Sequence, residues 1–252
     1  MSEILTGKNA VQEALRAQKR KCYEIWISHN KKELIVADIV TSAEKRGLPI
    51  HFVDDGVISS LSLENKHQRI AGRFDPYPYA CLEKIISDNT QDKKSFLLFL
   101  DNIQDPHNLG SLIRTAHLLG VKGIVIPKDN SALITPTVVK VSAGATEYMD
   151  IVLVTNLVNV IKDLKKQGFW IVGAEEEGAS SVYQFDFTGG NYALILGSEG
   201  KGIRRLVREN CDHLVYIPMF GKIGSYNVSV AGAIIISEAM RQREKNRLTS
   251  SN

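Results

Sequence analysis

The sequence predicts an α/β protein in two parts, a small α/β unit followed by a larger one built on a mainly parallel sheet. Three observations carry this. Residues 1–74 alternate short apolar strands with amphipathic helices. Residues 95–252 set near-continuous apolar strands between helical stretches, as in a sheet covered on both faces. Between them, DPYPY at residues 75–79 and an almost wholly polar run at 88–94 suit neither helix nor central strand, and place a linker at about 75–94.

In the first unit, the spacing of Val11, Ala14 and Leu15 predicts a helix over 9–17. CYEIWIS at 22–28 reads as a strand, and 33–45 as a helix ended by Gly47 and Pro49. PIHFV follows as a strand, 54–61 as a short helix, and HQRIAGRF at 67–74 as a final strand or turn. A short helix around 81–86 falls inside the linker. The second unit should hold strands at 96–100, 123–126, 169–174, 192–196 and 214–217. Helices are expected at 109–119, 136–143, 157–167 and 203–210, with a closing helix over 228–243. Periodicity alone describes an open, doubly wound sheet. Ligands of such sheets bind beyond the carboxyl ends of the strands, and three motif-bearing turns fall there: 101–114, 197–202 and 218–227.

Bulk properties bound the function. The net charge of +3, from 31 Lys and Arg against 28 Asp and Glu, is too small to require a nucleic-acid partner. It permits one if the basic residues gather on one face. Runs such as FLLFL are far shorter than the roughly 20 apolar residues a membrane helix needs. The opening MSEILTGKNAVQEAL lacks a basic region followed by an apolar block, so no secretory signal is expected. Cys22, Cys81 and Cys211 are three widely spaced thiols, an odd count without C-x-x-C spacing, which argues against a disulfide framework or a zinc site and fits a reducing cytoplasm.

Three constellations could carry chemistry. In DNIQDPHNLGSLIRTA at 101–116, Pro106 disfavours helix before it, Asn108 is placed to cap, Gly110 allows close approach, and Arg114 lies well into the helix. A cleft-facing Arg there implies a phosphate or carboxylate partner; pairing with a local Asp is the alternative. ALILGSEGKGIRRLV at 193–207 is a strand, a glycine-rich turn and a helix. Its spacing G-x-x-G-x-G matches neither the dinucleotide fingerprint nor the Walker lysine, but the turn could wrap an adenosine through backbone groups, with Glu199 aimed into the same cleft. IPMFGKIGSYNVSVAGA at 217–233 runs a strand through a polar loop into a small-residue helix. Ser225 and Asn227 stand at that helix start, where four N–H groups lack partners, as caps, as ligand contacts, or both.

Taken together, N-x-G-x-x-x-R, L-G-S-E-G-x-G, I-P-M and S-x-N-V-S-x-A, in this order, resemble the SPOUT class of RNA methyltransferases and, within it, the TrmH family of ribose 2′-O-methyltransferases. DPHNLGSLIRTA, PKD at 127–129, VTNL at 154–157 and IPMFGKIGSYNVSVA look most like the branch acting on guanosine of bacterial 23S rRNA. GKNAVQEAL and HQRIAG fit that branch's small substrate-binding domain, similar to ribosomal protein L30e.

The resemblance implies an L30e-like RNA-binding domain over 1–74 and a SPOUT domain over 95–252. It also implies a trefoil knot formed after about Asn191, a homodimer packed through it, and a cytoplasmic enzyme without metal. S-adenosylmethionine would be held by Leu196, Gly197, Glu199, Gly200, Ile217, Met219, Tyr226, Asn227 and Val228, with Tyr226 where the family usually has Leu. Asn108, Arg114, Glu199, Ser225 and Asn227 match the family's catalytic set. Because a guanidinium is a poor base, Arg114 is expected to steer the adjacent phosphate and stabilise the developing alkoxide, leaving Glu199 as proton acceptor. Lys8, Asn9, His67, Gln68, Arg69 and Arg73, with Arg114, are the expected RNA contacts. The substrate would be 23S rRNA or a large-subunit precursor. A tRNA or another rRNA, or a role in ribosome assembly without turnover, are the alternatives.

Overall fold

The computed structural model describes residues 2–30, 33–62, 68–87 and 94–250, with side chains left aside at 33–35, 87 and 249–250. In chain order the elements are β1 (Glu3–Thr6), α1 (Lys8–Ala17), β2 (Cys22–Ser28), α2 (Glu33–Glu44), β3 (Ile50–Val53), α3 (Asp55–Leu61), β4 (Ile70–Phe74) and α4 (Leu82–Ser87). They continue with β5 (Phe96–Leu100), α5 (Pro106–Leu118), β6 (Gly123–Pro127), α6 (Pro136–Val141), a 3₁₀ turn (Ala145–Glu147), β7 (Asp150–Val154), α7 (Leu157–Lys166) and β8 (Phe169–Ala174). β9 (Ser180–Ser181), β10 (Asn191–Leu196), α8 (Arg205–Arg208), β11 (His213–Tyr216) and α9 (Val228–Ser250) complete the chain.

Two compact units result, one of Met1–Pro78 with Ile134–Tyr148, the other of Tyr79–Leu133 with Met149–Asn252. The first holds a four-stranded sheet in the order β1-β4-β2-β3. Leu5, Ile25, Ile27 and Ile70 from its strands are buried with Val11 and Leu15 of α1. The helix read at 136–143 exists as α6, but it lies in this unit, with the 3₁₀ turn, and not among the covering helices of the second sheet. β1 escaped the sequence reading.

The second unit is a seven-stranded sheet in the order β7-β6-β5-β10-β8-β11-β9, and every pairing in it is parallel. Buried on both faces, β5 and β6 are the continuous apolar runs the sequence showed. The short helix of the linker region, α4, sends Ile85 into this unit's core, against Gly123. α9 runs beyond residue 243 to Ser250. Near its end Gln242 exchanges hydrogen bonds with the backbone of Phe185 and Phe187, and Arg243 donates to the carbonyls of Lys94, Phe187 and Gly190. No helix among the described residues is long and apolar enough to cross a membrane.

Candidate active site

β5, β10, β8 and β11 end side by side, and the turns that follow them build one site. Asp105 caps α5 by accepting from the His107 N–H at 2.9 Å, and Pro106 takes the first helical position, where its fixed φ and missing N–H are both tolerated. Asn108 is therefore not the cap the sequence suggested. It is the third residue of α5, buried, with its amide free to point across the strand ends.

The glycine-rich turn after β10 is held by two carboxylates. Asp101, fully buried at the end of β5, accepts from the Arg204 N–H at 2.8 Å and from Arg204 Nε at 2.7 Å. Glu175, just after β8, accepts from the Ile203 N–H at 2.9 Å. A Cβ on Gly197 would lie 2.1 Å from the Gly202 carbonyl carbon, so the turn closes only with glycine there. Ser198 and Gly202 exchange backbone hydrogen bonds across it. This clamp presents Glu199.

On the third turn, Asn227 uses both ends of its amide. Its Oδ1 caps α9, accepting from the Ser229 N–H at 3.0 Å, while its Nδ2 donates to Asn108 Oδ1 at 3.0 Å and Glu199 Oε1 at 2.5 Å. Asn108 Nδ2 donates to the same Glu199 oxygen at 3.1 Å, and the Val228 N–H approaches it at 3.4 Å. Three residues far apart in sequence thus meet on one carboxylate oxygen, and the second, Oε2, accepts no hydrogen bond from the described residues.

Glu199 borders a cavity of about 300 Å³ lined also by Leu196, Gly197, Gly200, Ile217, Met219, Tyr226 and Val228. Eight of the nine residues assigned to a cofactor therefore line one space, and the ninth, Asn227, is bonded to Glu199. Ser225 lines the same cavity but makes no hydrogen bond to the Asn108–Glu199–Asn227 group. Arg114 is exposed on α5; among the described residues it pairs with no carboxylate and makes no hydrogen bond to the Asn108–Glu199–Asn227 group. The sequence reading missed Asp101 and the Ala174–Glu177 wall. The rule that ligands sit beyond strand ends, applied to β8, would have found the wall.

In the first unit, Gln68 and Arg69 adopt left-handed backbone, with φ of 50° and 63°. Gln68 Oε1 accepts from the Lys8 N–H at 3.0 Å, which joins this turn to the start of α1, where Asn9 is exposed. Arg69 pairs with Asp55 at 3.0 Å and donates to the Asn30 carbonyl at 3.2 Å. Arg73 stands apart on β4, paired with Glu24. His67 lies outside the described residues.

Residues 95–237 match the family model described as the SpoU rRNA methylase family, and residues 4–80 the one described as RNA 2′-O ribose methyltransferase substrate binding. The chain is 39% identical to the 23S rRNA (guanosine-2′-O-)-methyltransferase RlmB of Xanthomonas campestris, over 96% of this chain and 97% of that one. It is 38% identical to a Bacillus subtilis protein provisionally named TrmH family tRNA/rRNA methyltransferase YacO, over 96% of each chain. Its fold is similar to that of the SpoU methyltransferase AviRb from Streptomyces viridochromogenes, solved with its cofactor AdoMet, with a TM-score of 0.79 and 22% identity over 97% of this chain and 91% of that one. The chain belongs to the SpoU rRNA methylase family.

Proposed function

We propose that this protein methylates the ribose 2′-hydroxyl of a guanosine in 23S rRNA, using S-adenosylmethionine. The observation that carries the reading is the Asn108–Glu199–Asn227 group at the edge of the cavity after β10. The cavity's residues suit that cofactor: backbone groups of a clamped glycine turn offer directional hydrogen bonds, and Leu196, Ile217, Met219 and Val228 offer an apolar wall. When bound, the cofactor supplies a methyl group already activated on a sulfonium.

What remains for the protein is orientation and proton handling. Asn108, Asn227 and the Val228 N–H fix Glu199 through Oε1, leaving Oε2 to take the 2′-hydroxyl proton; the methyl's C–S bond would break as its C–O bond forms, and adenosylhomocysteine would leave. The alkoxide is then never free in solution. Arg114, exposed on α5, meets the RNA phosphate beside the target ribose.

A homodimer belongs to this reading, with Arg114 exposed on α5 to serve the site of either copy. Phe220 at 99% and Ile223 at 82% exposure, in the loop before α9, offer apolar surface for that contact. The trefoil knot after residue 191 and a cytoplasmic location are part of the same proposal.

Transfer of labelled methyl to unmodified 23S rRNA, 16S rRNA and tRNA tests it, with the product mapped by resistance of the ribose to alkaline cleavage. One 2′-O-methylguanosine in 23S rRNA is the expected result. Label in tRNA alone would overturn the substrate, and label on a base would overturn the chemistry.

A further inference from the structure

Residues 134–148 lie within the stretch that matches the methylase family model, yet they fold into the unit built from the chain's first 78 residues. Their attachment is specific. The Arg20 side chain, 1% exposed, donates to both oxygens of the Glu147 side chain, 0% exposed, at 2.5 and 3.1 Å. The same guanidinium reaches Glu3 at 3.1 Å and the Asp75 carbonyl at 3.3 Å, while Thr146 Oγ1 donates to Glu147 at 3.2 Å. Tyr148 donates its hydroxyl to Glu13 on α1 at 2.6 Å.

Between these anchors Gly144 sits against α1 itself. Its φ is +86°, and a Cβ there would lie 2.6 Å from Glu13 Cβ and 3.1 Å from the Asn9 carbonyl oxygen. Both the backbone conformation and the close approach require glycine. Asn9 and Glu13 are one helical turn apart, so this contact covers the start of α1, the turn that also carries Lys8 and is joined to Gln68. A loop that only connected β6 to β7 would need no such fit.

We propose that Gly144 and Glu147 are positioning residues for RNA capture: they fix the first turns of α1 and so place Lys8 and Asn9 against the substrate. The inference rests on the reading of Lys8 and Asn9 as RNA contacts.

The test uses the full chain carrying Gly144→Ala, Tyr148→Phe or Lys8→Ala. Binding of 23S rRNA is measured at fixed salt beside adenosylhomocysteine binding, and turnover is followed over a range of RNA concentrations. Gly144→Ala should raise the RNA Kd and KM about tenfold, with kcat and adenosylhomocysteine affinity within about twofold of wild type. Tyr148→Phe, a milder change that should leave the fold intact, should shift KM about twofold in the same direction. Lys8→Ala should weaken RNA binding in the wild-type chain and have little further effect in the Gly144→Ala background.

Wild-type RNA affinity in folded Gly144→Ala and Tyr148→Phe proteins would overturn the proposal. So would a loss confined to kcat or to adenosylhomocysteine binding, or a Lys8→Ala effect that is absent or fully additive. The binding arm reads without turnover, so a wild-type chain that binds RNA but methylates nothing would count against the proposed function alone.

Discussion

Arg20 and Arg204 each hold a carboxylate that solvent does not reach, but the two pairs are built differently. Around Arg20 both side chains are sealed, and the guanidinium is shared among Glu147, Glu3 and a carbonyl. Around Asp101 only the carboxylate is buried; the Arg204 side chain is 45% exposed, and the second carboxylate oxygen takes a backbone N–H. The first pair is therefore a closed polar core whose members depend on one another. The second is an anchor for the glycine-rich turn, which would keep its backbone bond without the guanidinium. One serves the placement of α1, the other the placement of Glu199.

Breaking the sealed pair should have the larger effect on stability. Arg20→Ala strands the buried Glu147 carboxylate and leaves the partly exposed Glu3 unpaired, and should lower the unfolding free energy by about 3–5 kcal/mol, read from urea denaturation. Arg20→Met with Glu147→Leu should recover most of that loss, because the unpaired charge is gone. Asp101→Ala, which removes both oxygens that accept from Arg204 and leaves the turn held by Glu175 alone, should cost about 1–3 kcal/mol and weaken adenosylhomocysteine binding. Arg204→Ala should cost only about 1 kcal/mol or less, the exposed guanidinium being well screened. A loss at Arg204 equal to that at Arg20 would erase the distinction.

Alkaline titration sharpens the same contrast between sealed and open positions. Burial pushes the Cys22 thiol up to about 11 and the Cys211 thiol up to about 12, from an ordinary 9.0. A pKa raised on folding adds stability that is complete below pH 9 and fades as pH climbs toward 11 and 12. Unfolding midpoints should therefore fall through that window, and less so in Cys211→Ala. A thiol reagent at neutral pH should modify exposed Cys81 well before buried Cys22. The smallest effect belongs to the open pair Lys166–Asp163, where Lys166→Ala should change stability by about 0.5 kcal/mol or less.

The sequence carried the sheet of the second unit and most of the residues that line its cavity, because apolar strands and glycine-punctuated turns are local signals. β1 was missed because EILT is short and runs straight into Gly7 and a helix, and β7 because DIVLV merges with the residues around it. Asn108 was read as a cap because Pro106 was weighed only for what it forbids before itself; at the first helical position it passes the cap to Asp105. The capping and site readings of Asn227 proved compatible, one for each end of its amide. The Arg20–Glu147 pair left no trace in the sequence. Its partners are 127 positions apart, and the α/β alternation through 134–148 continues as if that helix covered the second sheet.

The most direct test of the account is single-turnover methyl transfer to unmodified 23S rRNA by Glu199→Gln beside the wild-type protein, at saturating S-adenosylmethionine. Glutamine keeps an acceptor for Asn108 and Asn227 but cannot take the 2′-hydroxyl proton. The account predicts a fall of about 10²–10⁴-fold in the rate of 2′-O-methylguanosine formation, with adenosylhomocysteine affinity retained. A Glu199→Gln rate within a few-fold of wild type, on an intact fold, would contradict it.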